Sequence, residues 1–378
     1  MSKKLSFKEQ VLDRTRKSRS LTAKDITNKI PFEQEFSPKL SKTINSIKQG
    51  QYIVVGGRES SGKRSFVHLF YVLHILDYYL SFSGDSKTKP KIKILYYNMR
   101  KSEHIKAQKL LCTYLWKNHS ILMDIPTLNG DNGKMYDLDS ETEDAIEAGV
   151  QYFDYFVGNG MLEIITEHTN PTGIRNDIHR YMTSIGGIDR DEYGRETFIP
   201  DKGFENQITI VIVDDIKRLK NETREDIYFN ENQLYSKLDE YIKDAVELFN
   251  ITAVLIVPSF DTSYKPLNQM VPEFREVKYF YDNANIVYIM FNPYRFGIIQ
   301  YHGYDTSQFK CEDHVQRFRS CTVLKNADGL DGVVIPFGFF PENGILFDLP
   351  RVEETKQLNE YISYLSTFKR KYIDERYR

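Results

Sequence analysis

The stretch YIVVGGRESSGKRSF, Tyr52 to Phe66, carries the strongest signal in the sequence. Its apolar start, Tyr52–Val55, predicts a buried strand, and the apolar-rich residues from Lys63 to about 80 predict a helix. Between them, Gly57–Lys63 satisfies the spacing G-x-x-x-x-G-K, the pattern of a loop that cradles phosphates. The residue types suit that task. Glycines let the backbone turn its N–H groups inward, the following helix offers its positive end, and Lys63 reaches the outer phosphate oxygens as a point charge. Gly57, Ser60, Ser61, Gly62, Lys63, Arg64 and Ser65 are therefore the candidate nucleotide-binding residues. One of them departs from the pattern. Such a loop carries Ser or Thr after its lysine as a magnesium ligand, but here Arg64 stands there. Ser65, the candidate metal ligand, comes one place late and about 100° further round a helix. Two readings of Arg64 stay open: an outward-facing residue beside an altered magnesium arrangement, or the mark of a weak site. The competing view of the whole stretch is a glycine turn that serves the fold and holds no ligand.

Working outward, short apolar runs alternate with helical patterns. Strands are expected at 92–97, 161–166, 208–213, 252–257 and 286–291, with shorter ones at 320–325 and 333–337. Helices are expected at 39–50, 102–118 (apolar side Ile105, Leu110, Leu111, Tyr114, Leu115), from Ile174, at 233–249 and at 353–374. Continuous apolar runs separated by helices argue for an α/β fold with a mostly parallel central sheet and helices on both faces. The domain reading is a basic arm or linker, 1–38, then one α/β domain, 39–350, and a helical tail, 351–378. An acidic insertion at about 123–160 holds nine Asp/Glu against Lys134 and reads as a solvated excursion whose later part is a surface helix. Gly186–Gln207 reads as a polar excursion.

Bulk properties exclude several classes. A net charge of −2 over 378 residues does not advertise a polyanion partner for the whole molecule. Residues 1–50 are locally basic, with twelve Lys/Arg against five acids. Cys112, Cys311 and Cys321 form no C-x-x-C spacing, so neither a disulfide framework nor a zinc site is expected. No apolar run is long enough to span a bilayer, and the N-terminus has no signal-peptide core. The expected setting is the cytoplasm, of a host cell if the protein is viral, with no membrane partner. Most of the 26 Tyr and 24 Phe are expected in core or subunit packing.

The run Ile208-Thr-Ile-Val-Ile-Val213 ends in Asp214-Asp215. In an α/β phosphate-loop protein an acid at that strand end lies across from the loop, where it can hold Mg²⁺. Asp214 is thus a candidate catalytic and metal residue beside Lys63. Asp215 either orients water or faces solvent.

With these stretches in place, residues 31 to 350 resemble the RecA-like ATPase domain of the DnaB family of hexameric replicative helicases, in a divergent phage-type form. "INSIKQGQYIVVGGRESSGKRSF" resembles that family's strand into its phosphate loop. "ILYYNMRKSEHIKAQKLL" is similar to the segment carrying its catalytic glutamate, which places Asn98 on that position. "ITIVIVDDIKRL" places Asp214 on the family's magnesium-side acid. "LFNITAVLIVPSF" resembles the strand that ends in a γ-phosphate-sensing glutamine, absent here, with Ser259 the nearest polar residue. "PEFREVKYFYDNANIVYIMFNPYR" resembles the segment after the DNA-binding loop. "LKNADGLDG" resembles the element that gives the next subunit a lysine and an arginine finger; Lys325 matches the lysine and Ala327 replaces the arginine.

The resemblance implies ATP and Mg²⁺ as cofactors, single-stranded DNA passing through a homo-oligomeric, hexameric ring, and other replication proteins as partners. Lys63, Asp214, Asn98 and Lys325 would be the catalytic set, and Tyr264 and Lys265, in the loop 261–277, the DNA contacts. The basic arm would dock on a neighbouring protomer, or touch nucleic acid. The resemblance also implies that the family's usual N-terminal primase-interaction domain is missing, fifty residues being too few to supply it.

The departures bear on chemistry. Asn98 can hold a water but cannot take its proton, and loss of an arginine finger costs related phosphoryl transfer on the order of 10³–10⁵ in rate. Glu59, Glu103, Asp215, Arg295 and Lys217 are the possible substitutes. Three functions follow: an ATP-hydrolysing DNA helicase or translocase, a nucleotide-binding but catalytically weak replication accessory or loader, and a packaging or partition-type ATPase.

Overall fold

The computed structural model describes residues 29–32, 36–83, 89–99, 102–130, 138–167, 169–222, 228–258, 278–311 and 315–367. Among the described residues, nine strands form the central sheet: β1 (Tyr52–Gly57), β2 (Lys91–Asn98), β3 (Leu162–Ile165), β4 (Gln207–Asp214), β5 (Thr252–Pro258), β6 (Ile286–Phe291), β7 (Phe318–Asn326), β8 (Val333–Phe340) and β9 (Ile345–Asp348). Their spatial order is β9-β8-β7-β6-β1-β5-β4-β2-β3. The six strands from β6 to β3 run parallel, and β7, β8 and β9 add an antiparallel edge. The expected α/β architecture with a mostly parallel sheet is what the chain adopts.

The longest helices are α1 (Lys63–Val67, continuing through a π turn at His68–Leu73 into His74–Ser81), α2 (Glu103–His119), α3 (Ser140–Gly158), α4 (Pro171–Thr183), α5 (Glu231–Phe249) and α6 (Thr355–Thr367). Both faces of the sheet are covered, which is why β4 is buried at every residue. The period-two pleat divides its side chains. Ile210 and Ile212 join Ile53, Val55 and the aromatic residues of α1 in one core, while Val211 and Val213 join Val54, Ile242 and Phe249 in the other. Local signals fix the helix starts. Asn230 and Gln233 form a reciprocal capping box before α5, and Asn170 caps α4 with Pro171 in its first turn.

Several expectations are corrected. The helix expected over 39–50 is short, Pro38–Thr43, capped by Ser37, and the chain then turns extended at Ile44. Leu40, Ile44 and Ile47 share a helix-like spacing, yet Ile47 is paired across from Ile30 in a small antiparallel ladder. Gly186–Gln207 contains a hairpin, Gly186–Arg190 against Glu196–Pro200. β7 and β8 are longer than expected, and β9 is a strand that the apolar pattern does not announce. The buried side of α2 differs by one residue from the expected one: Ile105 is 42% exposed, whereas Lys106, Leu110 and Thr113 share the buried face.

The antiparallel edge is pinned by an ion pair. Arg317, 1% exposed, donates to both carboxylate oxygens of Glu342 at 3.0 and 3.2 Å, donates through Nε to Cys311 Sγ at 2.9 Å, and lies 4.7 Å from the Phe340 ring centre. Removing one partner would leave a buried charge uncompensated. Glu342→Ala is therefore expected to lower stability by about 3 kcal/mol, read as an earlier urea midpoint with an unchanged slope. A variant as stable as the parent would show that the pair contributes nothing.

Candidate functional site

The carboxyl ends of β1, β2, β4, β5 and β6 meet on one side of the sheet, the usual place for ligands in open α/β folds. Gly57 at the end of β1 pairs with Pro258 on one side and Met290 on the other, and Asp214 at the end of β4 lies between Asn98 and Ile256. Sheet order thus brings residues 57 and 214 to the same edge, one strand apart.

The loop from Gly57 to Lys63 is wound as its glycines require. Gly57 has φ +147°, and a Cβ there would stand 2.3 Å from the Met290 carbonyl oxygen. Gly62, at φ +93°, is the N-cap of α1 and leaves the first helical N–H groups without a side-chain cap. Ser61 is 1% exposed, sits over Gly57, and its hydroxyl oxygen has no hydrogen-bond partner among the described residues. Lys63 is buried and reaches back across the loop to donate to the Arg58 carbonyl at 2.9 Å. Burial, aided by the Arg64 charge, pushes its amine down to about 8. These are polar groups prepared for an anion: an orphaned hydroxyl, uncapped amides and a desolvated lysine.

Three further arginines hold or flank the loop. Arg319, from β7, donates through Nε to the Ser60 carbonyl at 3.0 Å. Burial, then the neighbouring Arg295 and Arg317 charges, push its guanidinium down to about 9. Arg295 donates to Ser60 Oγ at 2.8 Å and to the Glu59 carbonyl at 3.2 Å. The Arg58 guanidinium lies 4.5 Å from the Phe296 ring centre. Glu59 itself is exposed.

Arg64 points inward, and this decides the character of the site. Its Nε donates to Asp214 Oδ1 at 2.6 Å and its Nη2 to Asp215 Oδ2 at 2.7 Å. Asp215 presents its carboxylate from a left-handed backbone, φ +77°, a conformation Asp tolerates better than most residues. The other Asp214 oxygen accepts from Tyr96 OH at 2.9 Å and from the Lys106 ammonium, which also donates to Tyr96 OH at 2.9 Å. His68 completes the cluster, its Nε2 3.0 Å from Tyr96 OH. Asp214 is fully buried. Burial alone would raise its carboxyl, but Lys106 and Arg64 outweigh that and hold it well below the usual carboxylate range.

Magnesium does not fit Asp214 in this arrangement. A carboxylate offers about four lone-pair directions. Here Arg64, Tyr96 and Lys106 use three, and two of those donors are cations. Ser65, the other expected ligand, packs against Gly344 between β8 and β9, where a Cβ would stand 2.9 Å from its hydroxyl oxygen. Among the described residues no three His, Cys, Asp or Glu side chains gather as a metal site.

Asn98 lies beside Asp214 in register but donates its amide to the Ser102 carbonyl at 3.2 Å, tying β2 to the start of α2. Lys325 is not among the loop residues. It pairs with Val287 near the start of β6, toward the opposite end of the sheet, and donates to the Tyr281 and Asp282 carbonyls at 2.9 and 3.1 Å. Ser259, Tyr264 and Lys265 lie outside the described residues, as does the arm 1–28. Sequence reasoning does not reach Lys106, Tyr96, His68 or Arg319. The helical spacing Lys106-Leu110-Thr113 is the available signal for the first.

No protein-family model matches the sequence, and no curated protein does. Among solved structures, the chain is similar to one described as an ATPase domain, at 14% identity and a TM-score of 0.57, over 92% of this chain and 100% of that one. It is also similar to a DnaB-like replicative helicase studied with its primase interactions, at 13% identity and a TM-score of 0.56, over 92% of this chain and 68% of that one. Such low identity shows fold alone: this chain has the α/β fold of the RecA-like ATPases.

Proposed function

We propose that the chain binds ATP at the loop 57–63 and acts as a nucleotide-binding, catalytically slow replication protein of the RecA-like class, associated with single-stranded DNA as a homo-oligomer. The observation that carries the slow-catalyst reading is the Asp214 cluster. A carboxylate locked by Arg64, Lys106 and Tyr96 is not available to hold a metal-bound water or to take its proton. Asn98 lacks a carboxylate altogether, so neither side chain is placed as a general base.

The binding half of the proposal rests on the loop. Lys63 would exchange the Arg58 carbonyl for a phosphate oxygen, Ser61 would gain the partner it lacks, and Arg295 lies beside Ser60 to meet the outer phosphates. The DNA and oligomer parts follow from the sequence resemblance and from the likeness to replicative-helicase structures. The helicase reading is favoured by one feature: Lys325, far from its own loop, would serve the loop of a neighbouring copy in a ring.

Calorimetric titration with ATP tests the binding. Lys63→Ala is expected to weaken it at least about tenfold, equivalent to about 1.4 kcal/mol, with the fold retained by circular dichroism. Turnover with and without single-stranded DNA is expected to stay below about 1 s⁻¹, the lower end of typical enzymes. Rapid, DNA-stimulated hydrolysis abolished by Lys63→Ala would replace this reading with the helicase one.

The lowered amine of Lys63 sets a pH dependence. Below about 8 it is charged and attracts phosphate; above, the free protein loses that charge. ATP affinity should therefore fall as pH rises from neutrality through about 8 and beyond. Lys63→Ala should flatten the profile, and an unchanged slope in that variant would assign the titration elsewhere.

A further inference from the structure

The Asp214 cluster supplies its own countercharge. Two carboxylates, Asp214 and Asp215, face two cations, Arg64 and Lys106, each within hydrogen-bond reach of at least one carboxylate. Arg218, largely exposed, adds a looser contact to Asp215 at 3.4 Å. At a phosphate loop of the usual kind the hydroxyl after the lysine and the strand-end acid leave a negative pocket that a divalent ion fills. Here the side chain after the lysine is itself the cation in that pocket. A guanidinium does not lose its charge in a protein, so this countercharge is permanent. It is fixed by the two-pronged grip of Asp214 and Asp215 and by the Lys106 and Tyr96 contacts behind them.

We propose that Arg64 and Lys106 take over the charge-balancing part of the divalent cation, so that this chain binds a nucleoside triphosphate in its metal-free form. The inference rests on the nucleotide-binding reading of the loop. Free ATP carries more negative charge than its magnesium complex. Around the loop it meets Lys63, Arg58 and Arg295, with Arg64 at the loop's inner end. An added magnesium ion would approach two resident cations and find the oxygens of Asp214 engaged and Ser65 packed on Gly344. The ion gains no protein ligand there, and the two carboxylates it would otherwise neutralise are already balanced by two cations.

The test is calorimetric titration of the full chain with ATP, once with EDTA and once with excess magnesium. The expected result is an affinity in EDTA that equals or exceeds that in magnesium. Binding seen only with magnesium would overturn the inference while leaving the nucleotide reading intact. Absence of binding under both conditions would remove the nucleotide reading and the inference with it. Arg64→Ser supplies the complement: with Asp214 Oδ1 freed, while Tyr96 and Lys106 keep Oδ2, and a hydroxyl restored, affinity should become at least about tenfold tighter with magnesium than without. A folded Arg64→Ser protein still indifferent to magnesium would overturn the role given to Arg64. Should that variant fail to fold, the two parent titrations decide the question by themselves.

Discussion

A fully buried carboxylate cannot stand alone. Removing an ionised Asp from water costs several kcal/mol even after relaxation, and only close, well-aligned partners offset it. Asp214 has three partners, and each comes from a different element: Arg64 from the first turn of α1, Tyr96 from β2, Lys106 from α2. The carboxylate therefore ties the glycine loop, two neighbouring strands and the helix that follows β2 into one polar knot where the carboxyl ends of the parallel strands meet. Apolar layers on both faces explain why the sheet forms. This knot explains how the candidate site is arranged, and why that arrangement differs from what the loop motif alone suggests.

The fold is legible because its signals are local and mutually consistent. The run Ile208–Val213 is apolar at nearly every position, which only a strand covered on both faces tolerates. The helices expected from Ile174 and at 233–249 are present, beginning three and two residues earlier at Pro171 and Glu231, where Asn170 and Asn230 cap them. The failures have physical causes as well. Ile47 looks helical by spacing, but its partner, Ile30, lies well upstream in a segment that a local spacing argument ignores. β9 is four residues long, and two of them are only partly buried, so it leaves little pattern to read.

The site is half legible. Motif spacing leads to Lys63 and the glycines, and apolar-run logic leads to Asp214, because each is a feature of one strand end. What spacing cannot convey is partnership between segments far apart in the chain. Lys106 reads as a polar position on an amphipathic helix, yet burial is where it finds Asp214. Arg64 stands out as a departure, but whether it points outward or inward depends on two carboxylates supplied by another strand. Charged residues are almost never buried unless paired, so a buried lysine can be foreseen only when its counter-ion is already placed.

β7 has a mechanical role that its sequence does not advertise. Arg319 near its start is fastened to the Ser60 carbonyl of the loop, while Lys325 near its end is fastened to the Tyr281 and Asp282 carbonyls on the far side. At about 3.3 Å per residue, these anchors stand roughly 20 Å apart on a single extended rod. The rod is braced by β6 and β8, with a kink where the β6 pairing skips a residue at Leu324. The loop carbonyl at Ser60 and the carbonyls of Tyr281 and Asp282 at the opposite rim are thus held by one and the same strand.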